Sequence, residues 1–250
     1  MRQQVPNDIP VHGQIIPASH LKSQAYLQNI NQWTKYQQMI ISKNKTNSII
    51  VNFTKNYQFH TRLVLDTQNI EEVDQMKILG TVITNTLSWT ENCTRIIKKV
   101  NARMLLLRKV WSFGSTNEEM VQLWKTFCLS ILEQSCAVWG NGLTAENEAD
   151  LERTQKTFCK MVLGENFKSY FEALKTLNLQ TLKLRRKNLT LRFAQQSLAD
   201  GKLRELFPLR RKQHSMDTRR KEKYQVFRAH TERYRNSPII TMQRLLNEAS

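Results

Sequence analysis

The sequence predicts an α+β fold, in which a small layer of one helix and short strands is followed by a mostly α-helical region and a basic tail. Runs rich in β-branched residues, such as "NSIIVNF" and "MKILGTVI", lie before residue 89. After residue 89, hydrophobic residues recur with the 3.6-residue period of a helix. The net charge of +17 is unevenly distributed and is largest in the last third of the chain. Strands in one part and helices in the rest indicate an α+β chain.

The N-terminal part combines an extended segment, a helix and strands. Residues 1–18 contain three prolines and one glycine, so we expect an extended lead-in there. A helix is predicted over residues 19 to about 39, with the serine at its start as the cap. Its residues Tyr26, Ile30 and Trp33 share one face, which we expect to be buried. Short strands are predicted over three ranges, namely 47–53, 59–65 and 76–83.

Residues 90–165 are expected to form a helical bundle. Its first helix, over residues 91–112, places five hydrophobic residues on one inward stripe: Ile96, Val100, Met104, Leu107 and Trp111. The next helices are predicted from Thr116 or Asn117 to about Val138 and from Thr144 to Gly164. Aromatic residues on apolar helix faces are expected in the core, namely Trp111, Trp124, Phe127, Trp139 and Phe158.

Residues 166–250 are expected to form a basic helical tail. Helices are predicted over 169–177, about 181–199 and Pro238 to about Asn247, with a mobile loop near 207–225. Residues 183–250 hold 18 basic and 6 acidic residues, whereas residues 1–90 hold 8 and 5. Such asymmetry favours a polyanionic partner, with nucleic acid ahead of an anionic membrane. The alternative is a solvated basic surface that keeps the protein soluble.

The sequence lacks the motifs of a self-contained enzyme. Its aspartates are isolated from one another, its five histidines lack metal-ligand spacing, and no phosphate-binding glycine loop or GxSxG motif occurs. The four cysteines have no CxxC spacing, so we expect buried free thiols rather than disulfides or a zinc site. No apolar run approaches the roughly 20 residues of a membrane span, and the start lacks the apolar core of a signal peptide. We therefore expect an intracellular protein, in the nucleus or the cytoplasm.

Six segments occur in an order and at a spacing that are typical of one family. They are "INQWTKYQQMIISKNKTNSIIVNF", "MKILGTVITNTLSW", "IIKKVNARMLLLRKVWSFG", "LEQSCAVWGNGLT", "DLERTQKTFCKMVLG" and a tail comprising "SYFEALKTLNLQTLKLRRKNLTLRFAQQSL" and "RYRNSPIITMQRLLN". Together they resemble the C-terminal part of a non-LTR (LINE-type, jockey-like) retrotransposon reverse transcriptase. The resemblance extends from about residue 20 to residue 247.

The resemblance implies a palm remnant over residues 19–89, a thumb over 90–165 and a tail over 166–250. In the family, carboxylates of an early strand and of an Asp-Asp hairpin hold two metal ions, and the hairpin directly precedes the helix predicted here after the lead-in. Only Asp8 lies before that helix. We therefore expect no polymerase activity and no cofactor in this chain, with Mg²⁺ expected only for a complete enzyme.

The resemblance also implies partners and binding residues. The expected partners are RNA or an RNA/DNA duplex and the upstream polymerase portion, with no membrane. A primer-seating hairpin and phosphate contacts would involve the following residues: Gly80, Trp89, Arg95, Lys98, Lys99, Arg103, Arg185, Arg186, Lys187, Arg210, Arg211 and Lys212. The alternatives are a packing glycine at Gly80, a core position for Trp89, and a solvated face or a weak nuclear-import signal for the cations.

Other interpretations of the whole chain are open at this point. The same fold could be one piece of a split gene, active only with the upstream palm. The chain could instead be an unrelated helical nucleic-acid-binding or interaction protein without catalysis. If the chain is a fragment of a reverse transcriptase, the layer of residues 20–88 would have an uncovered face where the rest of the palm packs.

Overall fold

The chain divides into two compact units, Met1–Ser88 and Trp89–Ser250. The computed structural model describes residues 8–11, 14–51, 62–209 and 223–249, with side chains from residue 21 onward. Short strands occur in the first unit, and the described part of the second unit is mostly helical. The α+β fold class predicted from the sequence is confirmed.

The described part of the first unit starts with a hairpin and a helix. Strand β1 (Asp8–Val11) pairs antiparallel with β2 (Gln14–Pro17), so the expected extended lead-in contains a hairpin. Helix α1 (Ala18–Tyr36) lies close to the predicted range, and a 3₁₀ turn follows at Lys43–Lys45. The later strands of this unit, within the described residues, are β3 (Asn47–Ser48), β4 (Val64–Leu65), β5 (Gln68–Asn69), β6 (Glu71–Glu72), β7 (Gln75–Ile78) and β8 (Thr81–Thr84).

These strands pair in twos rather than in one continuous sheet. Strand β3 pairs parallel with β6, whereas β4 with β5 and β7 with β8 form antiparallel hairpins. Of the predicted strand 47–53, residues 47–51 are described, and among them only the first two pair. Residues 52–61, which include the start of the predicted strand 59–65, lie outside the described residues. Two-residue strands have few cross-strand neighbours, so their stability depends on other contacts.

The predicted strand 76–83 is two strands joined by a tight turn. Ile78 pairs with Thr81, which leaves Leu79 and Gly80 as the two loop residues. Their φ angles are 46° and 90°. Positive φ at both central positions is the signature of the type I′ turn that matches the twist of a hairpin. Gly80 therefore serves the turn, because glycine adopts this conformation without steric cost.

Helix α1 contacts the β4–β5 hairpin through its polar side. Gln24 donates to the Val64 carbonyl at 2.8 Å and accepts from the Val64 N–H at 2.9 Å. Asn31 and Lys35 each donate to Asp66 Oδ1 at 2.8 Å. Hydrogen bonds from Lys35 and then Asn31 lower the pKa of Asp66 from 3.8 to about 2. The Asp66 carboxylate is therefore charged across the neutral range and anchors the helix.

The apolar side of α1 is exposed. Tyr26, Ile30 and Trp33 have 69%, 52% and 57% of their surface accessible, so the prediction of a buried face is wrong. At about 100° per residue, these three side chains lie on the side of the helix opposite Gln24 and Lys35, which make the contacts. The apolar pattern correctly indicated an amphipathic helix, but a different face packs within this unit.

The second unit is built from helices. Within the described part they are α2 (Thr90–Trp111), α3 (Asn117–Leu123), α4 (Ser130–Glu133), α5 (Cys136–Trp139), α6 (Ala145–Leu163), α7 (Tyr170–Thr176), α8 (Leu182–Ser197), α9 (Glu232–Arg235) and α10 (Pro238–Glu248). The predicted start of the third long helix is confirmed, because the Thr144 hydroxyl accepts from the Asn147 N–H at 3.2 Å. A capping box between Thr116 and Glu119 begins α3.

The long helix predicted from about residue 116 to 138 is interrupted. Residues Trp124–Leu129 form a π-helical segment between α3 and α4. Helix α4 then ends at Glu133, because Ser135 adopts a left-handed conformation with φ of 54°. The indole N–H of Trp139 donates to the Gln134 carbonyl at 2.8 Å and closes the break. The prediction of a continuous helix is wrong here, since serine is not a residue that usually marks a left-handed position.

The main core of the second unit is centred on aromatic residues. Trp124, Trp139 and Phe158 have 0% exposure, as predicted. The rings of Trp124 and Phe158 are stacked, with centroids 4.6 Å apart and an angle of 16° between planes. The predicted stripe of α2 is confirmed at four positions that are buried and one that is half-buried, namely Ile96, Val100, Met104, Leu107 and Trp111.

Phe127 is not part of this core. It is 43% exposed, so its predicted core position is wrong. The buried stripe of this run follows Trp124, Cys128 and Leu132 at intervals of four residues. Phe127 precedes Cys128 by one residue and therefore points away from this stripe.

A smaller core joins α5, α8 and α10 in the C-terminal part. Its buried members are Ala137, Ala194, Phe207, Tyr224, Met242 and Leu246. Leu209 and Tyr224 form an isolated antiparallel bridge. The mobile loop predicted near 207–225 includes residues 210–222, which lie outside the described residues.

Candidate nucleic-acid interface

Helix α2 presents a row of exposed lysines. Lys98, Lys99 and Lys109 are exposed, and within the described residues none of them forms an ion pair. They lie within about a third of the helix circumference and extend over about 16 Å of its axis. Glu91, in the first turn, is the one acidic residue in the sequence of this helix. We call these three residues the α2 lysine row.

The two arginines predicted beside this row have different surroundings. Arg95 is half-buried, and its Nη2 donates to Asn92 Oδ1 at 3.1 Å. Arg103 is exposed, with its guanidinium carbon 5.9 Å from the centre of the Phe127 ring. A cation near an aromatic face is weakly attracted but remains accessible to a phosphate. Arg103 can therefore extend the α2 lysine row, whereas Arg95 is half-buried, and its Nε and Nη1 atoms are buried without a hydrogen-bond partner among the described residues.

Gly80 and Trp89 both have a structural explanation. Gly80 belongs to the turn between β7 and β8 in the first unit. Trp89 is half-buried and packs against the main core of the second unit. A Cβ atom at Gly142 would lie 2.8 Å from Trp89 Nε1, so the indole fits closely over this glycine. Trp89 therefore occupies a core position, which was the alternative to a nucleic-acid contact for this residue.

The three consecutive cations of α8 do not form one patch. Successive residues of a helix point about 100° apart. Arg185 forms a two-point ion pair with Glu133, with Nη2 and Oε2 at 3.2 Å, and this hydrogen bonding raises the pKa of Arg185. Arg186 is only 4% exposed. Lys187 is exposed, and its Nζ lies 2.9 Å from Glu248 Oε2.

Three of the predicted binding residues belong to a basic run beyond α8. Arg210, Arg211 and Lys212 lie outside the described residues.

Sequence reasoning also missed two residues, Asn141 and Arg244, which line a cavity together with Arg186. No local pattern marks them, because the three residues come from a turn and two helices that are distant in sequence.

The cysteines are placed as buried free thiols. Cys93, Cys128, Cys136 and Cys159 are all buried and unpaired with one another. Burial raises the thiol pKa values from 9.0 to about 11 for the first three and to about 12 for Cys159. Among the residues with described side chains, no group of three or more His, Cys, Asp or Glu could hold a metal ion.

These thiols are expected to react slowly in the folded protein. Because the thiolate is the reactive form, a pKa raised from about 9 to about 11 lowers its fraction at pH 8 roughly 100-fold. Dithionitrobenzoate at pH 8 should therefore modify none of the four cysteines within minutes and all four at once in denaturant. Rapid modification of one thiol in the native protein would contradict the buried positions.

Comparisons with known proteins identify no relative of this chain. No family model matches the sequence, and neither a curated protein nor a solved structure matches it. In the described part of the chain, no helix has the length and apolar character needed to cross a membrane.

Proposed function

We propose that this chain is the C-terminal part of a retroelement-type RNA-directed DNA polymerase that binds RNA or an RNA/DNA duplex without catalysing synthesis itself. The observation that supports binding most directly is the α2 lysine row, which has no carboxylate partner within the described residues. Exposed lysines in such a row suit phosphate contacts, which give affinity and position rather than sequence choice. The net charge of +17 would add long-range attraction.

The order of elements also supports this proposal. A tight hairpin, β7 with β8, ends at Thr84, and the basic helix α2 begins at Thr90. The six sequence segments that resemble the reverse transcriptases include both elements. In that family, the hairpin seats a primer end and the following helix contacts the duplex backbone.

The exposed side of α1 suits the upstream polymerase portion as a second partner. Three large apolar residues, Tyr26, Ile30 and Trp33, are mostly exposed on one helix face. Such a face is typical of a surface that another protein segment covers. In the proposed function, the rest of a palm packs there.

Salt dependence tests the binding proposal. The affinity of the full chain for a labelled primer–template RNA/DNA duplex is measured by fluorescence anisotropy between 50 and 200 mM salt. If three lysines neutralise phosphates, the slope of log K against log salt is about −2.7, which weakens binding by about 40-fold over this range. A flat salt response, or no binding at 50 mM salt, would overturn the proposal.

Primer extension tests the second half of the proposal. No adjacent aspartates occur in the sequence, and two-metal polymerases need clustered carboxylates. The full chain with Mg²⁺ or Mn²⁺, the same duplex and nucleotides should give no extended product. A complete reverse transcriptase is the positive control, and template-dependent extension by this chain would refute the inactive assignment.

A further inference from the structure

A basic cavity in the second unit is lined by none of the residues of the α2 lysine row, which supports the function proposed above. It has a volume of about 560 Å³ and lies between the turn after α5, the N-terminal half of α8, and α10. Its charged lining residues are Lys183, Arg186, Lys187, Arg244, Glu148 and Glu248. Four cations and two carboxylates leave a net charge of +2, so the cavity favours an anion.

Arg186 is the central observation. Its side chain is 96% buried, since only 4% is exposed, and Nη2 has no hydrogen-bond partner among the described residues. The nearest carboxylate oxygen, Glu148 Oε1, is 3.8 Å away, which is too far for a hydrogen bond. A buried cation with an unsatisfied donor is unfavourable unless a further acceptor satisfies it.

A second unsatisfied donor lines the same cavity. The amide nitrogen of Asn141 is buried and lacks a hydrogen-bond partner in the described part of the protein. Asn141 comes from the turn after α5 and Arg186 from α8, so two elements supply unused donors independently. A ligand with several acceptor oxygens would satisfy both of them.

The carboxylates of the cavity are already neutralised by lysines. Glu148 Oε2 lies 2.9 Å from Lys183 Nζ, and Glu248 Oε2 lies 2.9 Å from Lys187 Nζ. Arg244 is half-buried and forms no ion pair within the described residues. Within the part of the chain that the structure describes, Arg244 is therefore without a carboxylate partner, and Arg186 has only the long 3.8 Å contact with Glu148, which Lys183 shares.

The cavity wall holds Arg186 in place. A Cβ atom added at Gly140 would lie 2.6 Å from the Cys136 carbonyl oxygen and 3.1 Å from Arg186 Cδ. The backbone of the turn thus contacts the stem of Arg186 directly, where any larger residue would collide. A guanidinium fixed in this way loses little conformational entropy when it binds an anion.

We propose that this cavity binds a phosphate group through Arg186, Arg244 and Asn141. Two guanidinium groups and an amide suit the tetrahedral oxygens and negative charge of a phosphate. The volume also leaves room for a sugar or base attached to the phosphate. Free phosphate and the phosphate of a nucleic acid share this chemistry. The site would bind phosphate whether or not the α2 lysine row contacts nucleic acid.

Thermal unfolding of the full chain tests the proposal, with inorganic phosphate as the probe and chloride at matched ionic strength as the reference. A ligand at concentration c that binds the folded state stabilises it by RT ln(1 + c/Kd), so phosphate at about ten times its Kd should raise Tm by about 3–5 °C. Arg244→Gln should reduce the shift at least by half, and Asn141→Asp should abolish it by placing a carboxylate against the anion. Arg228→Gln, an exposed arginine away from the cavity, is the matched control and should keep the full shift.

Other outcomes would overturn the proposal. Phosphate also stabilises proteins by exclusion from their surface, and this effect rises with concentration in all variants alike. Equal shifts in the wild type, Arg244→Gln and Asn141→Asp, or no shift in the wild type, would therefore refute the site. Arg244 is half-buried and has no ion-pair partner within the described residues, so its substitution should leave the fold intact, whereas replacement of the buried Arg186 could unfold the protein.

Two RNA 12-mers identify the source of the phosphate. If the cavity takes a terminal phosphate, a 5′-phosphorylated RNA binds more tightly than its 5′-hydroxyl counterpart, and Arg244→Gln removes this difference. If it takes a backbone phosphate, Arg244→Gln weakens both RNAs equally. If neither RNA is affected while the Tm shift remains, the ligand is free phosphate. Neutralising the α2 lysine row should leave the Tm shift unchanged, which separates this proposal from the nucleic-acid function.

Discussion

Replacing Trp124 with alanine is expected to lower the free energy of unfolding of the second unit by about 3–5 kcal/mol. Trp124 has no exposed surface and stacks on Phe158 with ring centroids 4.6 Å apart. Removing the indole leaves a large cavity between the π-helical segment and α6, because close-packed cores relax only partly around a lost side chain. Natural domains are stable by about 5–15 kcal/mol, so this one change could unfold the unit.

Trp124→Phe separates the packing of the indole from its polar atom. The Trp124 Nε1 donor is buried without a hydrogen-bond partner among the described residues. Phenylalanine keeps an aromatic ring against Phe158 and removes a donor whose burial costs about 1–3 kcal/mol. We therefore expect a net loss below about 1.5 kcal/mol, far less than for alanine.

Urea unfolding followed by far-UV circular dichroism measures both variants. Phe113→Ala is the control, since Phe113 is 78% exposed and should change stability by less than about 0.5 kcal/mol. If Trp124→Ala unfolds the chain in buffer, the milder substitution Phe158→Leu is compared with the Phe113→Ala control instead. A loss for Trp124→Ala no greater than that for Phe113→Ala would contradict the stacked core.

The sequence predicted best where the elements are long and strongly periodic. The 22 residues of α2 contain a repeated apolar stripe, and four of its five predicted positions are buried. Start signals were similarly clear, since Thr144 and the Thr116–Glu119 pair cap helices by local hydrogen bonds. These features depend on neighbours in sequence, so a single sequence contains them.

The sequence predictions that proved wrong have a different physical origin. The apolar side of α1 was predicted to be buried, but Gln24, Asn31 and Lys35 make the contacts on the opposite side. Which face of an amphipathic helix packs depends on a partner element, and sequence period alone does not identify that partner. The left-handed Ser135, which ends α4, is a further such case, since serine gives no sequence signal for that conformation.

Clustering of charge in sequence was also a poor guide to clustering in space. Arg185, Arg186 and Lys187 were predicted together as nucleic-acid-binding residues, yet Arg185 pairs with Glu133, Lys187 pairs with Glu248, and the buried Arg186 lines a cavity. Lys98 and Lys109, eleven positions apart, share a face because three helical turns separate them. The candidate interface is therefore better defined by the positions of lysines on one helix face than by runs of consecutive basic residues.

Neutralising the α2 lysine row is the most direct expected effect on nucleic-acid affinity. The triple variant Lys98→Gln, Lys99→Gln, Lys109→Gln should bind the primer–template duplex about 100-fold more weakly near 100 mM salt. Each lost phosphate contact removes about 0.9 from the slope of log K against log salt, so the slope should become shallower by nearly 3. Glutamine favours helix nearly as well as lysine, so α2 itself should persist.

A matched variant separates the position of the charges from their number. Lys125, Lys156 and Lys168 are exposed lysines of the same unit without ion pairs in its described part. Replacing these three by glutamine removes the same net charge from elements outside α2. If binding requires the α2 lysine row, this control should weaken binding by less than about tenfold and change the slope by less than 1.

Both variants are titrated by fluorescence anisotropy at four salt concentrations, which gives the slope of log K against log salt for each. Circular dichroism verifies that the helix content is unchanged. Equal losses in the two variants would mean that net charge alone attracts the nucleic acid, and α2 would have no special position in the interface. A large loss confined to the α2 variant would assign the contact to this helix, since general attraction depends on total charge and both variants have lost three lysines.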